Sequence, residues 1–214
     1  MAPTSAVHDL SLAMPTDTPT VPFFYFDFVD PVSYLLDAEI AAAAAALDVH
    51  VVRTGVEINP PPHPMGTSDD AVWGPRWDDA ERVAASFGRP LHRPDVVPWS
   101  RKAHELVEHV RENDESLVPE LSKALLVAFF QDRRDIGRVD VLVDVARGLG
   151  LDRTETKAVL DVDRYEEAVA RRRIEVVEAG LRVVPTVTFA DRRLEGFHNR
   201  ASLSTLLSDV LSSS

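Results

Sequence analysis

An aromatic, β-prone run that stops on Asp-Pro constrains this chain more than any other feature. Val21-Pro22-Phe23-Phe24-Tyr25-Phe26-Asp27-Phe28-Val29 has the residue types of a buried strand. Asp30 is a favoured helix cap and Pro31 a favoured first helical residue, so a helix must begin where the strand ends. That helix is predicted through Leu35, Leu36, Ile40 and the alanines to about Leu47. Val49 to Ile58 then reads as a second strand. The order β-α-β favours a parallel pair with a crossover helix.

Asn59-Pro60-Pro61-Pro62-His63-Pro64 interrupts regular structure. From about Ser68 to Leu160 the signals are helical. Trp77 to Phe87 forms one segment, and Ser100 is expected to cap a second with Ala103, Leu106, Val107 and Val110 on one face. Pro119 opens a third, Val139 to Arg147 a fourth, and Asp152 with Glu155 makes a capping box for a fifth. Asp163 with Glu166 is expected to open a longer helix ending at Gly180. Strand residues return at Val183 to Phe189 and Arg193 to Phe197. A closing helix follows from Asn199 to Leu211, with Leu203, Leu206, Leu207 and Val210 apolar. The whole is β-α-β, a helical block, then α-β-β-α.

Composition excludes several function classes. The chain of 214 residues contains no Cys, which removes disulfides, thiolate metal sites and a cysteine nucleophile together. Its formal net charge of −12 disfavours phosphate backbones and anionic membranes, so neither nucleic acid nor membrane is an expected partner. The longest bland run, Ala41 to Ala46, is far short of the roughly 20 apolar residues of a membrane span. Met1 to Thr20 has no Lys or Arg and no sustained apolar core, so it reads as a flexible tail rather than an export signal. The expected location is the cytoplasm. Arg171-Arg172-Arg173 is either a solvated helix face or an anion contact. His104 and His109 are five apart and share no helix face, so no metal site is expected.

Four pieces of sequence, in order, carry a resemblance. Phe26-Asp27-Phe28-Val29-Asp30-Pro31-Val32-Ser33 is similar to the active-site segment of DsbA-like proteins, where a Phe-Asp strand precedes Cys-Pro-x-Cys. It is equally similar to 2-hydroxychromene-2-carboxylate isomerases and kappa-class glutathione transferases, which carry Ser-Pro-x-Ser or Ser-Pro-x-Ala there. Ala128 to Ile136 resembles a stretch of the insertion in FrnE-type members, Val184-Pro185-Thr186 the family's Val-Pro-Thr loop, and Gly196 to Arg200 its Gly-x-x-Asp-Arg turn. The resemblance implies an α/β, thioredoxin-like fold with an all-helical insertion. On this reading residues 21–64 and 161–214 form the thioredoxin-like domain, 65–160 the insertion, and 1–20 the tail.

The resemblance also locates a site. The first redox Cys, or the isomerase Ser, falls on Asp30, and the second position falls on Ser33. The helix N-terminus is expected to keep the Asp30 carboxylate ionised and lower its pKa. Asp30 is then either a cap alone or also a base or electrostatic anchor, and Ser33 either a local hydrogen-bond partner or a substrate donor. An ionised Asp30 would repel a glutathione thiolate. Pro185 is expected to be cis, with the Val184 backbone pairing a peptide or glutathione. The resemblance places His198, Asn199 and Arg200 at a ligand-holding turn, although Asn199 is equally a natural cap. It implies a small-molecule isomerase or transferase, with glutathione or another thiol as the implied co-substrate and pairing of two copies. The competing reading is a non-catalytic binding protein that keeps the Pro185 edge for a ligand or extended peptide. A dithiol oxidoreductase is a third reading, which the missing thiolate opposes.

Overall fold

The computed structural model describes residues 21–212, with side chains described through Asp209. The tail at 1–20 and the side chain of Val210 therefore lie outside the described residues. Strand β1 (Phe23–Phe26) alternates half-buried and buried positions. Phe24 and Phe26 point to the same face, their rings 5.1 Å apart, as the two-residue period of a strand requires. β1 pairs in parallel with β2 (Val52–Gly55), Phe23 opposite Val52 and Phe26 opposite Gly55. β5 (Thr186–Phe189) lies antiparallel on the other side of β1, and β6 (Arg192–Glu195) closes the order β2-β1-β5-β6. β2 and β5 are both shorter than the β-prone runs that contain them, because only part of each run finds ladder partners.

Helix α1 (Pro31–Leu47) connects β1 to β2. Tyr34, Leu35, Leu36, Ile40 and Ala43 are buried along it, and it packs against α8 (Arg200–Ser212) and α2 (Gly74–Phe87). The insertion adds α3 (Arg101–Asn113), α4 (Val118–Phe130), α5 (Val139–Gly148) and α6 (Arg153–Asp161); α7 (Glu166–Glu178) leads back to the sheet. The insertion is not wholly helical. β3 (Gly66–Thr67) and β4 (Val96–Val97) form a short antiparallel pair that closes the loops around α2.

Two expected caps are absent, for local reasons. Ser100 has helical backbone angles, so its hydroxyl is not held over the first turn of α3 and makes no cap bond. Asp163 takes a positive φ of 52° and pairs with Lys102, while Tyr165 occupies the start of α7. The Asp152 cap does form, accepting from the Glu155 N–H at 2.8 Å.

Side chains from the insertion clamp the start of α1. The Tyr34 ring stacks on Phe130 at 4.8 Å, and Trp77 meets the same Phe130 at 5.7 Å. The Tyr34 hydroxyl donates to the Pro90 carbonyl at 2.9 Å and accepts from the Gln131 amide at 2.8 Å. Trp73 and Trp77 are core residues, whereas Trp99 is partly exposed and donates to the His63 carbonyl. Burial of rings of this size on both sides of the junction fixes α2 over the helix start.

Candidate functional site

The turn from β1 into α1 positions Asp30 and Ser33. Asp30 has extended backbone angles, as a cap residue must, and its side chain is fully buried. Oδ2 accepts from the Ser33 N–H and from the Ser33 hydroxyl, both at 2.7 Å. Oδ1 accepts from the Arg76 guanidinium at 2.7 Å. The same Arg76 nitrogen donates to the Val184 carbonyl at 3.2 Å. One arginine from α2 thus ties the helix start to the loop before Pro185, and its side chain is 31% exposed. The Val184–Pro185 peptide bond is cis, as is Pro61–Pro62.

This arrangement leaves Asp30 little chemistry. Both of its oxygens are engaged inside the protein, and Ser33, also fully buried, spends its hydroxyl proton on Asp30. Burial pushes the Asp30 carboxyl above its ordinary range, against the opposing pull of Arg76 and the Ser33 hydrogen bonds. The lowering expected from the helix start is therefore reversed. The cap field acts as anticipated, but removal of the carboxylate from water outweighs it.

Arg76 stands at the border of two openings. A groove of about 440 Å³ runs along Val183, Val184 and Pro185, walled by Val32, Leu35, Ala80, Val83 and Phe197. A smaller cleft of about 290 Å³ shares Arg76, Val183 and Val184, and continues past Glu57, Ile58 and Trp73 to α7. The structure thus brings Asp30, Ser33, Val184 and Pro185 together. His198, Asn199 and Arg200 do not line the groove, although the neighbouring Gly196 and Phe197 do. His198 contacts the Glu195 carbonyl at 3.1 Å, and Asn199 caps α8 by accepting from the Ser202 N–H at 3.0 Å. Arg200 faces Glu39 of α1 at 3.5 Å. The turn at 198–200 fastens α8, because each of its side chains is engaged by its own loop or by α1.

A second buried polar group lies beneath the helix start. Asp27 accepts from the Ile58 N–H at 2.8 Å, and its other oxygen lies 3.1 Å from Nε2 of His104. The Asp27 N–H reaches the Ser33 hydroxyl at 3.4 Å, which links the two networks. His104 lies so close to β2 that a methyl group on Gly55 would sit 2.3 Å from its Nδ1. Nearby, Glu57 is only 3% exposed. Its Oε2 is 3.4 Å from Arg101, and its Oε1 has no hydrogen-bond partner among the described residues. Burial raises the Glu57 carboxyl above its usual range, Asp27 adds to the rise, and His104 and Arg101 oppose it.

Arg76 and Glu57 were not singled out by sequence reasoning, and His104 was weighed only as a metal ligand. Arg76 lies 46 residues beyond Asp30, in the insertion, and no local pattern links the two. Glu57 did leave a signal, a single carboxylate between Val56 and Ile58 in an otherwise β-prone run.

Comparison with known proteins agrees with this geometry. A protein described as a probable DsbA oxidoreductase from Streptomyces coelicolor superposes with a TM-score of 0.76 at 22% identity, over 90% of each chain. A solved 2-hydroxychromene-2-carboxylate isomerase superposes with a TM-score of 0.72 at 20% identity, over 90% of this chain and 95% of that one. At this identity both show the fold. YwbO of Bacillus subtilis, itself described as uncharacterized, is 26% identical over 191 residues, covering 86% of this chain and 94% of YwbO. The family model of the DSBA-like thioredoxin domain matches residues 23–209, and the chain belongs to that family.

Proposed function

We propose that this protein is a ligand-binding member of the DsbA-like family that carries out no dithiol–disulfide exchange with its own side chains. Its ligand is a small organic molecule held in the groove along Val184 and Pro185. The observation that carries this reading is the contrast at the helix start. The position that carries the nucleophile in redox relatives holds a fully buried, fully bonded Asp30, while the groove beside it is open. Disulfide exchange requires an attacking thiolate, and this chain has no Cys. Apolar walls with a few charged groups at the edge, here Arg76, Arg82 and Asp79, are the usual make-up of a small-molecule site. A cytoplasmic location belongs to the same reading; no helix among the described residues is long and apolar enough to cross a membrane.

A second reading keeps catalysis, as an isomerase or transferase with a thiol such as glutathione as co-substrate. It is favoured by the shared fold of the solved isomerase. In that reading Arg76 must release Asp30 before the carboxylate can take a proton. Native mass spectrometry of freshly purified protein, followed by glutathione titration, separates the readings. The ligand-binding reading expects a small-molecule adduct that disappears when Val83→Trp fills the groove, with no insulin reduction. Saturable glutathione binding with turnover that fails in Asp30→Asn would establish the catalytic reading instead. Insulin reduction by the pure protein, or no adduct at all, would overturn the proposal.

A further inference from the structure

We infer that the smaller cleft, between α7 and the segment after β2, binds a small apolar molecule ending in a carboxylate. This site is separate from the Val83 side of the groove and does not depend on the groove being occupied.

Charge is the first observation. The chain as a whole carries −12, yet Arg76, Arg173 and Arg182 all line this one cleft. Arg76 is committed to Asp30 and Val184 through one nitrogen, which leaves its remaining N–H groups for other partners. Arg173 and Arg182 make no ion pair or hydrogen bond among the described residues. Most arginines of this acidic protein are paired, so two unpaired guanidinium groups beside one opening form a local positive site. Guanidinium groups match a carboxylate by paired N–H donors.

Apolar surface is the second. Ile58, Val176 and Leu181 form the walls, and Val72 and Val177 at the rim are 68% and 45% exposed. Exposed valines beside unpaired cations suit a ligand with a greasy body and a charged end. The volume, about 290 Å³, is at the small end for ligand sites and too small for a folded partner.

Glu57 is the third. Glu57 lines this cleft, and its buried Oε1 has no hydrogen-bond partner among the described residues. A buried acceptor without a partner is costly unless something fills it. As a neutral acid Glu57 donates its O–H to the incoming carboxylate, and the two carboxyl groups then share one charge beside the arginines.

Calorimetric titration of the full chain with hexanoate, and with hexanamide as the neutral equivalent, tests the inference. Hexanoate is expected to bind saturably at one site, and hexanamide at least tenfold more weakly. That comparison needs no variant. Arg173→Gln with Arg182→Gln is expected to weaken hexanoate at least tenfold while leaving the circular dichroism spectrum unchanged. Glu57→Gln keeps an N–H donor and is expected to stay within about threefold of the parent. Val83→Trp is expected to leave hexanoate binding intact, which separates this cleft from the groove. Equal binding of acid and amide, or no effect of the paired arginine substitutions, would overturn the inference. So would loss of binding in Glu57→Gln, because a carboxylate that must stay charged recruits a cation.

Discussion

Asp30 and Glu57 are two buried carboxyl groups that differ in how fully their oxygens are met. Asp30 has Ser33 on one oxygen and Arg76 on the other. Glu57 has a weak contact to Arg101 on one oxygen and no hydrogen-bond partner among the described residues on the other. Burial raises both above the ordinary carboxylate range. In Asp30 both oxygens have internal partners, so the group fastens the helix start to the insertion. In Glu57, which lines a cleft, one buried acceptor is unmet among the described residues. The position the resemblance marks as reactive is thus bonded on both oxygens, and the unmarked one is not.

Substitution of Arg76 should strain this comparison most. Arg76→Ala leaves Asp30 buried without its counter-charge, a loss of about 3 kcal/mol at neutral pH, toward the low end for a broken buried pair because Arg76 is partly exposed. The cost should shrink in acid, because a protonated Asp30 needs no counter-charge. Urea denaturation at pH 7 and pH 5 measures both numbers, and equal losses at the two would remove charge as the cause. Gly55→Ala should cost about 2 kcal/mol by forcing the His104 ring out of its place against β2 and off Asp27. Thermal unfolding of that variant within error of the parent would show that His104 has room to move.

Glu57→Gln sharpens the contrast through pH. The folded-state pKa of Glu57 is raised above its unfolded value, so its contribution to stability is fully present below the unfolded pKa. It is lost as pH rises through the folded value. The variant should therefore gain on the parent as pH rises from the ordinary carboxylate range toward neutrality. Melting temperatures of both proteins across that window test it, and a parallel pair of curves would mean that Glu57 titrates normally. The smallest effect is expected at Asn199→Ala, which removes the α8 cap for about 1 kcal/mol or less. Groove and cleft ligands should bind that variant unchanged, since residues 198–200 line neither opening.

Much of this architecture was legible in the chain. The run Val21–Val29 with Asp30-Pro31 announced a strand and a capped helix because those steps depend on neighbours in sequence. Period and capping likewise placed α3, α4 and α6 within a few residues. The failures are equally local. Ser100 and Asp163 have the right side chains for caps but the wrong backbone angles.

By itself the sequence determined that this chain has no Cys, that β-α-β and α-β-β-α segments flank a mainly helical block, and that Asp30 starts a helix. Those are statements about residue type and near neighbours. Only the tertiary structure decided that Arg76 closes over Asp30, that Ser33 turns inward, and that Arg76, Arg173 and Arg182 gather beside Glu57. Arg173 and Arg182 sit on and just after α7, roughly a hundred residues from Arg76, and nothing short of packing brings them together. Desolvation is settled at the same level. A carboxyl's pKa depends on how much water the fold removes from it, so the cap residue that sequence marks as acidic is, once buried, held above its usual range.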